Sequence, residues 1–129
     1  MWPFIFFLFF IAGFPLVATA NALYVDEKPV VVVITSFNNK ALHDKKLGSA
    51  LAQHYHNVRI IYVDDASPDG TGVVVERYIQ QHDQEHRVSL ICNKERGGAL
   101  FNLYRAISSC SPEEIIVTLD GDDWFSNND

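Results

Sequence analysis

No charged side chain occurs between Met1 and Val25, and Trp2 to Val17 is almost entirely large and apolar. A domain this small can rarely bury such a run on every side, so the stretch stands apart from the fold. It passes into Val17-Ala18-Thr19-Ala20-Asn21-Ala22, where small residues at Ala18 and Ala20, and again at Ala20 and Ala22, fit a signal peptidase site. Lys and Arg are absent before the run, which reduces the basic start of an export signal to the N-terminal amine. The run also approaches the about 20 residues that span a bilayer. Residues 1–22 are therefore expected to be a signal peptide or an N-terminal membrane anchor, a buried strand or helix being the remaining alternative. The chain is expected to be exported or membrane-anchored, or else associated with a membrane while facing the cytoplasm.

Basic residues are scarce throughout. Lys and Arg number 10 against 16 Asp and Glu, and the formal net charge of −6 belongs wholly to the sequence after the first segment. No Lys/Arg cluster offsets it, which excludes attraction to nucleic-acid phosphates by the overall field. A polyanionic ligand would need a metal cation to help hold it. The only cysteines, Cys92 and Cys110, have no metal-ligand or redox spacing. They are read as buried small apolar side chains, with a disulfide the alternative in an exported protein. Repeats, low-complexity tracts and linker-like stretches are absent after residue 29. A chain of 129 residues then leaves one modest domain, residues 23–129.

What is present is a recurrence of apolar runs. Val30 to Thr35 and Val58 to Val63 are rich in β-branched residues, Ile115 to Leu119 is a third clear run, and Val88 to Cys92 is a weaker fourth. Continuous runs predict strands covered on both faces, as in a parallel sheet. Helical patterns fill the gaps. Ala41 to Tyr55 puts Leu42, Leu47, Ala50, Leu51 and His54 or Tyr55 on one side, with Asn38 or Asn39 as cap. Thr71 is placed to cap a helix through Val74, Arg77, Tyr78 and Gln81, and Ala99, Leu100, Leu103, Ala106 and Ile107 form the stripe of a third. The alternation predicts an α/β fold, in which ligands bind beyond the carboxyl ends of the strands.

Polar clusters follow each predicted strand. They are Thr35-Ser36-Phe37-Asn38-Asn39, Asp64 to Gly70, Asn93 to Gly98, and Asp120-Gly121-Asp122-Asp123-Trp124. In a parallel sheet all four fall on one edge. Asp120, Asp122 and Asp123 directly follow a buried run, and the intervening glycine lets two carboxylates turn toward one point. Oxygen-only ligands of this kind suit Mg2+ or Mn2+, whereas in isolation so short a motif reads as a solvated acidic turn. One of Asp64 and Asp65 is expected to accept a ligand N–H, the alternative being an Asx-turn that touches no ligand. Arg96 beside Gly97-Gly98 offers a cation and backbone amides at a helix start, suited to an anion or a base edge. The five histidines lie outside these clusters and are expected at the surface.

In chain order, the clusters resemble the donor half of family 2 glycosyltransferases. Val-Val-Ile-Thr-Ser-Phe-Asn, residues 32 to 38, is similar to the family's strand ending in Pro-Thr-Tyr-Asn. Val63-Asp64-Asp65-Ala66-Ser67 looks like its Val-Asp-Asp-Gly-Ser, and Asn93 through Gly98 to Asn102 is similar to its Asn-x-Gly stretch and the helix Asn that follows. Leu119-Asp120-Gly121-Asp122-Asp123-Trp124 looks like the metal-binding D-x-D. The resemblance covers nearly all of the sequence after residue 29. It implies a GT-A-type, Rossmann-like, mostly parallel sheet flanked by helices, and glycosyl transfer from a nucleotide sugar, usually a UDP sugar, with Mn2+ or Mg2+. By position, Thr35, Ser36 and Phe37 would line the nucleoside pocket, Asp64 or Asp65 would hold the uracil, and Arg96 would add a contact near the base. Asp120 and Asp122 or Asp123 would meet the ribose and the metal. The acceptor, a glycan, lipid or protein, is not specified.

Thr35 stands where the family has Pro and Ala66 where it has Gly; neither change removes a ligand. Family members continue beyond the position of Asp129, supplying the acceptor site and, in inverting members, a carboxylate base. The fold is thus expected to be truncated at the C-terminus and incomplete as a catalyst alone, with no candidate base. An N-terminal signal is unexpected for members that use cytosolic donors. The rivals are a non-catalytic nucleotide-binding fragment and an aspartate-based phosphotransfer domain using Asp64, Asp65 and Asp120.

Overall fold

The computed structural model describes residues 27–120 and 122–128. Residues 1–22, the expected signal or anchor, lie outside these, as do Gly121 and Asp129. Among the described residues no helix is long and apolar enough to cross a membrane.

The elements alternate as β1 (Val30–Ser36), α1 (His43–Leu51), β2 (Val58–Asp64), α2 (Thr71–His82), β3 (Val88–Cys92), α3 (Ala99–Ser108) and β4 (Ile115–Leu119). The strands form one wholly parallel sheet in the order β3-β2-β1-β4. Register aligns Val30 with both Val58 and Ile115, and Ile60 with Val88, so every strand finishes on the same edge.

The unbroken apolar character of β1 follows from cover on both faces. Val32 and Ile34 pack with Leu47 and Ala50 of α1 and Val75 of α2, while Val31 and Val33 pack with Ala106 of α3. β2 repeats the division, Ile60 and Tyr62 facing one way and Ile61 and Val63 the other. The chain moves outward from β1 to β2 to β3, then crosses to the other side of β1 for β4. The carboxyl ends of β1 and β4 therefore flank a reversal in strand order, where open α/β sheets hold their crevice. At the opposite edge Arg59 grips Glu114 through two parallel hydrogen bonds of 2.7 and 2.9 Å, linking β2 to the turn before β4. That pairing draws the Glu114 carboxyl down to about 2.

Several helix expectations shift. The first helix begins as a 3-10 turn over Lys40–Leu42 and stops at Leu51, short of Tyr55. Asn39 stands at the N-cap position of that turn but its side chain makes no cap hydrogen bond, and the backbone N–H groups of Asn38 and Asn39 are tied sideways, to Ser67 Oγ at 3.0 Å and Thr71 Oγ1 at 3.1 Å. Thr71 is not a cap but the first residue of α2, after Gly70 at φ 83°. Asp69 serves this helix start instead, its Oδ1 accepting the Thr71 N–H at 2.9 Å and its Oδ2 the Lys40 N–H at 3.2 Å. Val75, Tyr78 and Ile79 face the core, while Arg77 and Gln81 point outward. In α3 the inward residues are Asn102, Leu103 and Ala106, whereas Leu100 is 81% exposed, since only one side of the helix meets the sheet.

Cys110 is half-buried but Cys92 is exposed, and both are free thiols. The expected burial of Cys92 fails because β3 is an edge strand with a thinner cover than β1 or β2.

Ala66 sits at φ 57°, a left-handed conformation that L side chains adopt at a cost. Ala66→Gly is expected to raise stability by about 1 kcal/mol, read as a higher denaturation midpoint in urea with an unchanged slope.

Candidate functional site

A cavity of about 370 Å³ opens at the reversal point. Thr35, Ser36, Phe37 and Asn39 reach it from the end of β1, Asp120 and Asp122 from the end of β4, and Arg96, Ala99 and Asn102 from the start of α3. Asp65 lies at its floor. The guanidinium of Arg96 stacks on the Phe37 ring with its carbon 3.9 Å from the ring centroid, so the two form one wall.

Asp65 is held from several directions. Its Oδ1 accepts the Gly97 N–H at 2.7 Å and Asn93 Nδ2 at 2.9 Å, and its Oδ2 accepts the Gly98 N–H at 2.8 Å. Burial pushes this carboxyl up, but hydrogen bonding from Asn102, Gly97, Asn93 and Gly98 outweighs burial and pulls it down to about 2. Gly98 makes the clamp possible at φ 86°, a backbone turn that exposes two successive N–H groups to one carboxylate and that a β-carbon would strain. Asn102, only 1% exposed, accepts Asn93 Nδ2 at 2.7 Å.

Asp64 belongs elsewhere. Consecutive strand residues point to opposite faces, and its carboxylate accepts the Ser67 hydroxyl at 2.5 Å and lines a separate cavity beside α2 and β3. Of the residues expected to act together, Thr35, Ser36, Phe37, Asp65, Arg96, Asp120 and Asp122 converge on one cavity. Asp64 does not join them, and Asp123 lies on the turn behind, its N–H donating to the Asp120 carbonyl at 3.1 Å. Ser36 is largely buried against Tyr62, whose phenol burial pushes up to about 12.

Among the described residues no three His, Cys, Asp or Glu side chains gather as a metal-ligand set. Asp120 and Asp122, both exposed at the cavity, are the two oxygen donors there that a hard cation could use alongside water and phosphate. No histidine lines either cavity.

Asn39 and Asn93 stand in the polar clusters read from the sequence, but their partners are set by folding; one contributor went unrecognised. Lys46 is fully buried on α1, next to Leu47 and Ala50. Its place within the apolar stripe at 42, 47, 50 and 51 was the available signal. Burial pushes its ammonium down to about 8, against the opposing pull of Asp122, Asp123 and Asp120.

Sheet, helices and crevice define the class first: a doubly wound α/β domain with polar residues at its strand-order reversal. The chain belongs to glycosyltransferase family 2, whose family model, "Glycosyl transferase family 2", matches residues 31–129. It is similar to the glycosyltransferase GlyG of Streptococcus pneumoniae, 29% identical over 99 residues covering 77% of this chain and 32% of GlyG. GlyA of the same organism is 26% identical over 106 residues, covering 82% of this chain and 14% of GlyA. The chain thus spans a third or less of the length of these curated relatives. Among solved structures it resembles the mannosyltransferase PcManGT from Pyrobaculum calidifontis, in complex with GDP-Man and Mn2+. That match has a TM-score of 0.72 at 28% identity, over 79% of this chain and 30% of that one. It shares the fold of S. aureus TarS residues 1–349 in complex with UDP-GlcNAc, at TM-score 0.64 and 21% identity, over 74% of this chain and 27% of that one. The fold is GT-A.

Asp65→Ala would orphan two backbone N–H groups and is expected to cost about 1–3 kcal/mol in chemical denaturation. Because the folded Asp65 carboxyl lies below its ordinary 3.8, its contribution is full above about pH 4 and is lost as pH falls toward 2. The acid limb of a stability–pH profile should therefore flatten in the variant.

Proposed function

We propose that this chain is the donor-binding part of a glycosyltransferase, taking a nucleoside diphosphate sugar, a UDP sugar, together with Mn2+ or Mg2+. The convergence of the β1 end, the α3 start and the β4 end on one cavity carries this reading. The base lies against Phe37 and Thr35, with Arg96 at its rim. Asp65 works at one remove, holding the Gly97–Gly98 turn that places Arg96 and the head of α3.

Asp120 and Asp122 are the residues that would hold the metal, as the D-x-D resemblance implies. A bound divalent cation supplies charge stabilisation for the leaving diphosphate. The reaction is transfer of the sugar to an acceptor hydroxyl of a glycan, lipid or protein; no residue of this chain is assigned as its general base. Aspartate-based phosphotransfer has little support, since Asp65 already accepts three donors and Asp64 is engaged by Ser67 facing the other cavity.

Calorimetric titration of the whole chain with UDP, with and without Mn2+, tests the proposal. Metal-dependent UDP binding is expected, and Asp122→Ala should weaken it by about 10–100-fold or more, the range that even outer-shell partners cost. GDP preferred over UDP would correct the nucleotide, and a folded chain that binds neither would remove the donor site.

We also propose that residues 1–22 export the chain or anchor it, from their lack of charge and their small-residue boundary. Cell fractionation with N-terminal sequencing should find the chain at the membrane with Met1 retained, or exported with a new N-terminus near residue 23. A soluble cytoplasmic chain starting at Met1 would refute both.

A further inference from the structure

Arg105 is the only charged side chain of α3, and it is exposed. Arg105, Phe101 and Asn93 are not among the described residues that line the cavity between β1 and β4. Two sets of contacts nevertheless run from Arg105 to the turn that carries Arg96 of the cavity wall.

The first set is polar. Arg105 Nη1 donates to Asn93 Oδ1 at 3.2 Å. Asn93 Nδ2 donates in turn to Asp65 Oδ1 at 2.9 Å and to Asn102 Oδ1 at 2.7 Å. An asparagine amide has one accepting end and one donating end, whereas a guanidinium only donates. Arg105 therefore claims the oxygen and leaves the NH2 group for two acceptors. A reversed amide would set its own oxygen against both. The Asp65 oxygen held this way is the one that accepts the Gly97 N–H at 2.7 Å.

The second set runs through an aromatic ring. The Arg105 guanidinium carbon lies 5.6 Å from the Phe101 ring centroid, within cation–π range. A β-carbon on Gly97 would stand 2.5 Å from Phe101 Cδ1, so the ring packs against Gly97 through the space a side chain would fill. Both routes end at Gly97, next in sequence to Arg96, whose guanidinium stacks on Phe37.

We propose that Arg105 is a positioning residue for the donor cavity, acting from outside it: through Asn93 and Phe101 it holds the Gly97 turn, and so sets where Arg96 stands over Phe37. The effect on donor binding rests on the donor-site reading above; the hold on the turn does not. Arg105 makes no contact with the ligand in this arrangement, so its loss loosens the site without removing a binding group.

Arg105→Met on the full chain tests this, because Met is close to Arg in helix propensity and the position is exposed, which keeps the fold. Native-state hydrogen exchange reads the turn without any ligand. The Gly97 and Gly98 N–H groups should exchange faster in Arg105→Met, while the amides of β1 keep their parent rates. Unchanged exchange at the turn would overturn the proposal. An equal acceleration in β1 would overturn it too, by making Arg105 a contributor to global stability alone. Calorimetric titration with UDP and Mn2+ then reads the consequence. Arg105→Met should weaken binding by about 2- to 30-fold, the reach of side chains that act on a site through others. Arg105→Lys keeps a donor for Asn93 and a cation for Phe101, and should restore most of the affinity. Arg77→Met removes the same charge from the outward side of α2 and should bind as the parent does. Equal losses in Arg77→Met and Arg105→Met would reduce the effect to net charge and refute the positioning role, as would equal affinity in the parent and Arg105→Met. A parent chain that binds no UDP would defeat the donor reading, while exchange at Gly97 and Gly98 still decides the hold on the turn.

Discussion

β1 is buried on both faces, and that constraint organises everything else. A strand clothed on one side by α1 and α2 and on the other by α3 has no freedom to shift register, because a slip of one residue would exchange its two sets of packing partners. Its neighbours take their register from it, Val58 and Ile115 both aligning with Val30. The reversal of strand order beside β1 then needs no separate instruction. Chain that has filled one flank with β2 and β3 finds its remaining unpaired edge on the other, and the crevice opens where the two directions part.

The crevice itself is built by polar atoms that the core cannot direct. Asp65 is the clearest case. Its carboxylate pins the start of α3 to the end of β2, a link between elements 32 and 33 residues apart in sequence. The same three donors fix the Gly97–Gly98 turn beside the cavity that Asp65 lines.

Much of this was visible in the sequence. Strand positions were legible because double-sided burial writes continuous runs such as Val30 to Ile34, and the convergence of polar clusters followed once the strands were taken as parallel. What was not legible depended on partners distant in sequence. The pair Asp64-Asp65 carries no mark of which residue faces the cavity; the pleat decides, and it sends Asp64 to the opposite side. Asn39 resembles a helix cap by local rules and stands at the N-cap position of the 3-10 turn, yet its side chain makes no cap hydrogen bond and its N–H goes to Thr71 at the start of α2. Leu100 and Ile107 look like core by periodicity, and only the placement of α3 on the sheet shows that Asn102 takes the inward position. Lys46 was passed over because a lysine is ordinarily read as solvent-facing.

The loop after β1 is joined to the loop after β2 by three backbone donors, at Asn38, Asn39 and Lys40, meeting side chains of Ser67, Thr71 and Asp69. Phe37, which carries the Arg96 guanidinium on its ring, is the residue directly before this seam. Sequence change in the second loop is therefore felt at the cavity wall. Altering Ser67 or Asp69 would loosen this seam, and with it the setting of the aromatic wall, without touching a residue that lines the cavity between β1 and β4.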